Sequence, residues 1–215
     1  KPDFVDLARI HKLVRVQASR TVLEFGSGFS TWVIADALQK NEEEDRKLGF
    51  QIIERNRFRF QCFSVETDEK WKTTTLARIP DPLSSRITIT TTGASIGTFR
   101  GKICHYYDKL PDIVPDFIYL DGPDPADVAG EFSGFTFSSC PERTVMAADL
   151  LRLENIMLPG TTILVDGRTN NARFLARNFD RSFTVEHDAE GDVTLFQLVE
   201  DRLGRLNHLG VDFSR

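Results

Sequence analysis

Short apolar runs alternate with amphipathic stretches through most of this chain, and no other feature restricts its fold as much. Residues 21–25, 61–66 and 86–92 read as strands, while 30–39 and 68–79, lying between them, carry apolar side chains at helical spacing. A helix between two strands is the usual crossover of a parallel pair, so this βαβαβ order predicts a parallel sheet. Strand 116–120, helix 144–156, strand 161–165 and helix 170–178 continue the series. Strands 183–187 and 193–198 close it, joined by the polar, glycine-containing 188–192, which reads as a hairpin turn. The expected fold is α/β: a seven-stranded, mostly parallel, doubly wound sheet ending in an antiparallel C-terminal hairpin.

At 215 residues and 40% hydrophobic, the chain is long enough to bury such a sheet on both faces within one domain. Phe4, Leu7, Ile10, Leu13 and Val14 predict an amphipathic helix over 3–18, serving as packing or as a lid. The expected division is an N-terminal helix or lid (1–20), the main domain (21–200) and a tail (201–215). Two segments exceed a minimal βαβ unit. Residues 40–59 are charge-rich and read as a surface excursion, with a short extra strand around FQII, residues 50–53. Residues 123–143 form a long loop carrying Phe132, Phe135 and Phe137, which suggests a substrate cover. The competing reading is an apolar loop packed on a neighbouring helix or on the second subunit of a homodimer.

With 27 Lys and Arg against 32 Asp and Glu, the formal charge is −5, so no global basic field gathers nucleic acid or an anionic membrane. Cys62, Cys104 and Cys140 are far apart and contain no C-x-x-C pair, which suggests neither a disulfide framework nor a zinc site. A reducing cytoplasm is the simplest setting. No apolar run approaches the ~20 residues that span a bilayer, and nothing near Lys1 reads as a signal peptide.

The first strand runs into TVLEFGSGFST, residues 21–31. Glycines after a strand permit a sharp turn and let a ligand lie on bare backbone at the start of the next helix. A nicotinamide-type fingerprint has a third glycine and faces a diphosphate. Here Thr31 takes that place, and Glu24 stands two residues before Gly26. A carboxylate is a poor neighbour for a diphosphate and a good one for an ammonium group, so the expected ligand carries a cation. The second strand ends in Glu66, where a carboxylate can accept from both hydroxyls of a ribose.

In this order the motifs resemble those of the class I S-adenosylmethionine-dependent methyltransferases, a Rossmann-like family. Glu24-x-Gly26-x-Gly28 looks like their E/D-x-G-x-G motif, SVETDEKW like their second-strand acid and PDFIYLDGPDP like their fourth-strand acidic motif; the resemblance covers residues 22–198. It implies S-adenosyl-L-methionine as cofactor. Glu24 would reach the methionine ammonium, Gly26, Ser27 and Gly28 would pass the methionine part, and Ser30 and Thr31 would bond its carboxylate. Glu66, with Thr67 beside it, would hold the ribose, and residues 92–95, including Ala94, would lie by the adenine. Ser30 reads equally well as a plain helix N-cap.

Methyl transfer needs an aligned nucleophile and, for a hydroxyl, a base. Asp121 and Asp166, at the ends of adjacent strands, are the leading candidates, with Asp121 also beside the cofactor and His105 a further base. Arg168, Asn170, Asn171 and Arg173 cluster at a helix start, where they could read a carboxylate, phosphate or sugar, and Tyr106 and Tyr107 could line the acceptor side. Trp32 and Trp71 read as packing. Some enzymes of this family hold a divalent ion on one acid after the fourth strand and an Asp-Asn pair after the fifth. Here Gly167 stands in place of the Asn, so no metal is expected and Arg168 is expected to temper Asp166. The leading reading is O-methylation of a small molecule or saccharide. The alternatives are a non-catalytic nucleoside-binding module and, disfavoured by Glu24 and Thr31, an NAD-dependent oxidoreductase.

Overall fold

The computed structural model describes residues 3–48, 53, 54, 56–139, 144–204, 207, 210 and 211. Helix α1 (Phe4–Val16) is capped by Asp3, whose carboxylate accepts from Val5 N at 2.8 Å. Its Ile10 and Val14 are buried against Ile34 and Leu38 of α2 (Phe29–Leu48), so this helix is packing. Strand β1 (Thr21–Phe25) precedes α2; β2 (Ile53–Glu54), β3 (Gln61–Glu66), α3 (Glu69–Leu76), α4 (Asp81–Ser84) and β4 (Ile87–Thr91) follow it. Next come β5 (Ala94–Phe99), β6 (Lys102–Tyr107), β7 (Phe117–Leu120), β8 (Val128–Ala129), α5 (Asp149–Leu153) and β9 (Thr162–Asp166). Helix α6 (Thr169–Ala176), β10 (Phe183–Asp188), β11 (Val193–Leu198) and β12 (Gly210–Val211) complete the order.

The main sheet has the order β10-β11-β9-β7-β1-β3-β4. Strands β9, β7, β1, β3 and β4 are parallel, and β11 runs antiparallel to both β9 and β10. All seven expected strands are present. Side chains alternate between the two covered faces: Leu23, Phe25, Ile118 and Leu120 enter one core, Val22, Phe117 and Tyr119 the other. The winding reverses between β1 and β7, and that switch point is where an open α/β sheet offers a crevice at its carboxyl edge.

Several local expectations change. Helix α2 continues nine residues past 39, through the charge-rich stretch, because its charges pair along the helix: Lys40 with Asp36 at 2.5 Å and Arg46 with Glu42 at 2.6 Å, both one turn apart. Asn41, 5% exposed, anchors it to the end of α1 by donating to Val14 O and Ser19 O. Of the FQII strand, Ile53 lies in β2, paired with β12 of the tail; Phe50, Gln51 and Ile52 lie outside the described residues. The stretch after the third strand, to which the sequence pattern assigns no element, is the β5–β6 hairpin, turned at Arg100 and Gly101, both at positive φ, and extended by β8. The helix expected over 144–156 shrinks to α5 and a 3-10 turn, because Met146 and Ala148 bond to the His105 backbone in extended form. Among the described residues no helix is long and apolar enough to cross a membrane.

Candidate active site

Gly26, at φ 99°, turns the chain out of β1 and donates its N–H to Val65 O at 2.8 Å. Across the switch point stands Gly122, where a Cβ would lie 2.7 Å from Gly26 N and 2.7 Å from Tyr107 Oη. Two glycines therefore let the loops after β1 and β7 touch. Above them, at the ends of β1, β3 and β7, opens a cavity of about 570 Å³.

Glu24 is 1% exposed, and its carboxylate accepts from the hydroxyls of Ser30 at 2.5 Å, Thr31 at 2.6 Å and Ser64 at 2.5 Å. Burial pushes it up to about 7; the three hydroxyls oppose the shift and Asp121 adds to it. Thr31, at the place of the third glycine, also accepts from Gly28 N at 2.9 Å, so its hydroxyl links the turn to the acid. Ser30 is thus neither an N-cap nor a free donor: α2 begins at Phe29, and its hydroxyl serves Glu24. Glu66 accepts from Ser27 Oγ at 2.7 Å and from the N–H groups of Thr67 at 2.8 Å and Asp68 at 3.1 Å, leaving its carboxylate fixed at the cavity wall.

Asp121 stands at the rim, its side chain half open to solvent, and is pushed up to about 6 by desolvation first, with Arg168 opposing and Asp166 and Asp6 adding. Arg168 donates to Asp121 O and, at 3.1 Å, to Pro123 O. It therefore braces the turn after β7 and tempers Asp121 rather than Asp166. Asp166 accepts from Tyr119 Oη at 2.5 Å and lies behind the cavity wall; desolvation raises it, and Tyr119 opposes. Among the described residues no group of three or more His, Cys, Asp and Glu side chains is arranged to hold a metal.

Other expected site residues lie elsewhere. Ala94 sits in the β5–β6 hairpin, outside the cavity wall, and Thr67 turns its hydroxyl to Asp127 at 2.7 Å. His105 is fully buried, with its ring 5.9 Å from Phe137 and both nitrogens without a partner among the described residues; desolvation holds it down to about 3, so it is neutral and shut off from the cavity. Tyr106 lies under the Arg152 guanidinium and donates to Thr98 O, facing away, whereas Tyr107 points its hydroxyl at Gly122. Asn170 is exposed on α6, and Asn171 is a buried brace between α6 and Ala147. Phe137 is 2% exposed and packs edge-on with Phe135, whereas Phe132 is 43% exposed; of the loop's described residues Pro123, Asp124, Ala126 and Asp127 reach the cavity, and residues 140–143 lie outside the described residues.

Trp71 was expected to be core. It is 43% exposed, lines the cavity and donates Nε1–H to Ser27 O at 2.6 Å; Trp32, at 37%, is also on the surface. Asp68, Asp124 and Asp127 join Glu24, Glu66 and Asp121, so among the described residues six carboxyl groups and no Lys, Arg or His line the space.

Among solved structures, TomG, an O-methyltransferase from Streptomyces achromogenes involved in tomaymycin synthesis and solved with S-adenosylmethionine, matches over 93% of this chain and 82% of its own, with TM-score 0.52 and 14% identity. An O-methyltransferase from Bacillus cereus in complex with S-adenosylhomocysteine matches over 93% and 83%, with TM-score 0.50 and 16% identity. No protein-family model and no curated protein matches the sequence. Identity at this level speaks for the fold, and it agrees with the strand order and the reversed final strand. The chain has the Rossmann-like fold of the class I S-adenosylmethionine-dependent methyltransferases.

Proposed function

We propose that this protein transfers a methyl group from S-adenosylmethionine to an oxygen of a small-molecule or saccharide acceptor. The observation that carries the reading is the acid-lined cavity over the Gly26–Gly28 turn. Six carboxyl groups, with no basic side chain beside them among the described lining residues, repel a diphosphate and suit a ligand bearing ammonium and sulfonium charges. The raised position of Glu24 fits the same ligand, since a buried carboxyl with hydroxyl partners alone gains most from a cation placed beside it.

When bound, S-adenosylmethionine would supply an electrophilic methyl group. The chain's residues do the rest. Glu24 takes the ammonium, and the backbone of Gly26, Ser27 and Gly28 lies along the methionine part. Glu66 accepts from the ribose hydroxyls, and Trp71 walls the cavity on the solvent side. Asp121, with its carboxyl at about 6, is mostly ionised at neutral pH and takes the proton of the acceptor hydroxyl as the oxygen attacks. Cys62 and Cys104 are buried free thiols, in keeping with a reducing cytoplasmic setting. A homodimer is compatible with this reading, and no step requires it.

The test is a mass-shift screen with methyl-deuterated S-adenosylmethionine against panels of hydroxylated small molecules and saccharides. The expected result is a labelled O-methyl product that Asp121→Asn reduces by about 10²–10⁴-fold while leaving cofactor binding in place. Cofactor binding with no transfer to any panel would favour a non-catalytic binding module.

A further inference from the structure

A second cavity, also of about 570 Å³, lies between α6 and the start of β6. It shares no side chain with the acid-lined one, and its chemistry is the reverse. Arg173 and Arg177 stand one turn apart on one helix face, so their stems are about 6 Å apart. Lys102 faces them from β6. Neither guanidinium has a hydrogen bond or ion pair with any described residue, and Asp180, the acid just beyond, is paired with Arg100.

Lys102 is held in place. Asn178, 2% exposed, donates Nδ2–H to Phe174 O at 2.6 Å, which fixes its amide so that Oδ1 accepts from Lys102 Nζ at 2.6 Å. An ammonium has three donors, so two remain for a ligand. The floor is apolar, made by Ile103, Met146 and Phe174, all half-buried. Three cations gathered around one groove of a chain whose formal charge is −5 repel one another until an anion joins them. A carboxylate offers two oxygens; a phosphate ester offers three terminal oxygens and up to two charges, matching two guanidinium forks and an ammonium.

We propose that this groove binds a phosphate ester, its phosphate on Lys102, Arg173 and Arg177 and its organic group on Ile103, Met146 and Phe174. The site stands apart from the methyl-transfer reading and survives or fails without it.

Calorimetric titration of the full chain with phenyl phosphate, inorganic phosphate and phenol tests it. The expected result is one saturable site for phenyl phosphate, at least fivefold tighter than for inorganic phosphate, with no saturable phenol binding. Arg173→Ala with Arg177→Ala should weaken it at least tenfold while S-adenosylhomocysteine affinity and the thermal midpoint stay unchanged. Both arginines are exposed and unpaired among the described residues, so the double variant keeps the fold. Absence of saturable binding, binding that the double variant retains, or equal affinity for inorganic phosphate would overturn the proposal. So would a single-stranded oligonucleotide that binds more tightly than phenyl phosphate and displaces it, since the groove would then be a nucleic-acid face.

Discussion

Replacing Glu24 by Gln keeps the shape of the side chain and removes its charge at the point where the cofactor's ammonium is proposed to sit. In the ligand-free chain this carboxyl is pushed up to about 7. It is therefore about 10% ionised at pH 6 and about 90% at pH 8. A cation beside it lowers its pKa, so binding releases a proton in this window. Affinity must then rise with pH up to about 7 and level off above it. Between pH 6 and 8 the gain is about tenfold, or ~1.4 kcal/mol. S-adenosylhomocysteine is the suitable probe, because its ammonium stays protonated throughout. Calorimetry should show this rise for the natural chain and a flat profile for Glu24→Gln. The two proteins should differ at pH 8 by ~1.5–3 kcal/mol, the scale of a hydrogen bond to a charged group, and much less at pH 6. The stability of the ligand-free protein has the opposite sign. Glu24 has a folded pKa above its usual 4.5, so its contribution is fully present below about 4.5 and is lost as pH rises through 7, by about 3 kcal/mol. The variant escapes that loss. A variant that keeps the natural pH slope for binding would refute the assignment of Glu24 to the ammonium.

Glu66→Ala should weaken S-adenosylhomocysteine binding by ~1.5–3 kcal/mol, and unchanged affinity would remove Glu66 from the ribose site. Gly122→Ala drives a Cβ to within 2.9 Å of Gly26 N, Gly26 Cα and Tyr107 Oη. It should therefore destabilise the protein by ~1–3 kcal/mol in denaturant titration, and an unshifted midpoint would show that the two loops do not meet as closely as described. Trp71→Phe should abolish most of the tryptophan emission change on adding S-adenosylhomocysteine, leaving the contribution of Trp32; a change of full size would place Trp71 away from the ligand.

The sheet was legible because its strands carry the signal most directly tied to burial. Residues 21–25 and 61–66 are apolar on both faces in sequence and are strands over those same residues. Glu24 and Glu66 stood out as acids in otherwise apolar runs. What could not be seen arises from contacts between segments distant in sequence. The charge-rich half of α2 looks like a solvated excursion until its own Asn41 ties it to the end of α1 and Arg86, just before β4, pairs with its Glu42. The β5–β6 hairpin lacks an Asn-Gly turn, and its Arg100-Gly101 corner carries little signal. Trp71 sits at a spacing that core residues also use, and only the approach of the Ser27 carbonyl places it at the cavity wall. His105 has the chemistry of a base and the burial of a core residue, and the extended segment 146–148 that seals it could not be told from a helix by periodicity.

The central claim, that the acid-lined cavity takes a cationic nucleoside and not a dinucleotide, is tested most directly by titrating the chain in a calorimeter with S-adenosylmethionine and with NAD at neutral pH. The account predicts saturable one-to-one binding of S-adenosylmethionine and none of NAD. Saturable binding of NAD, or of neither, would contradict it.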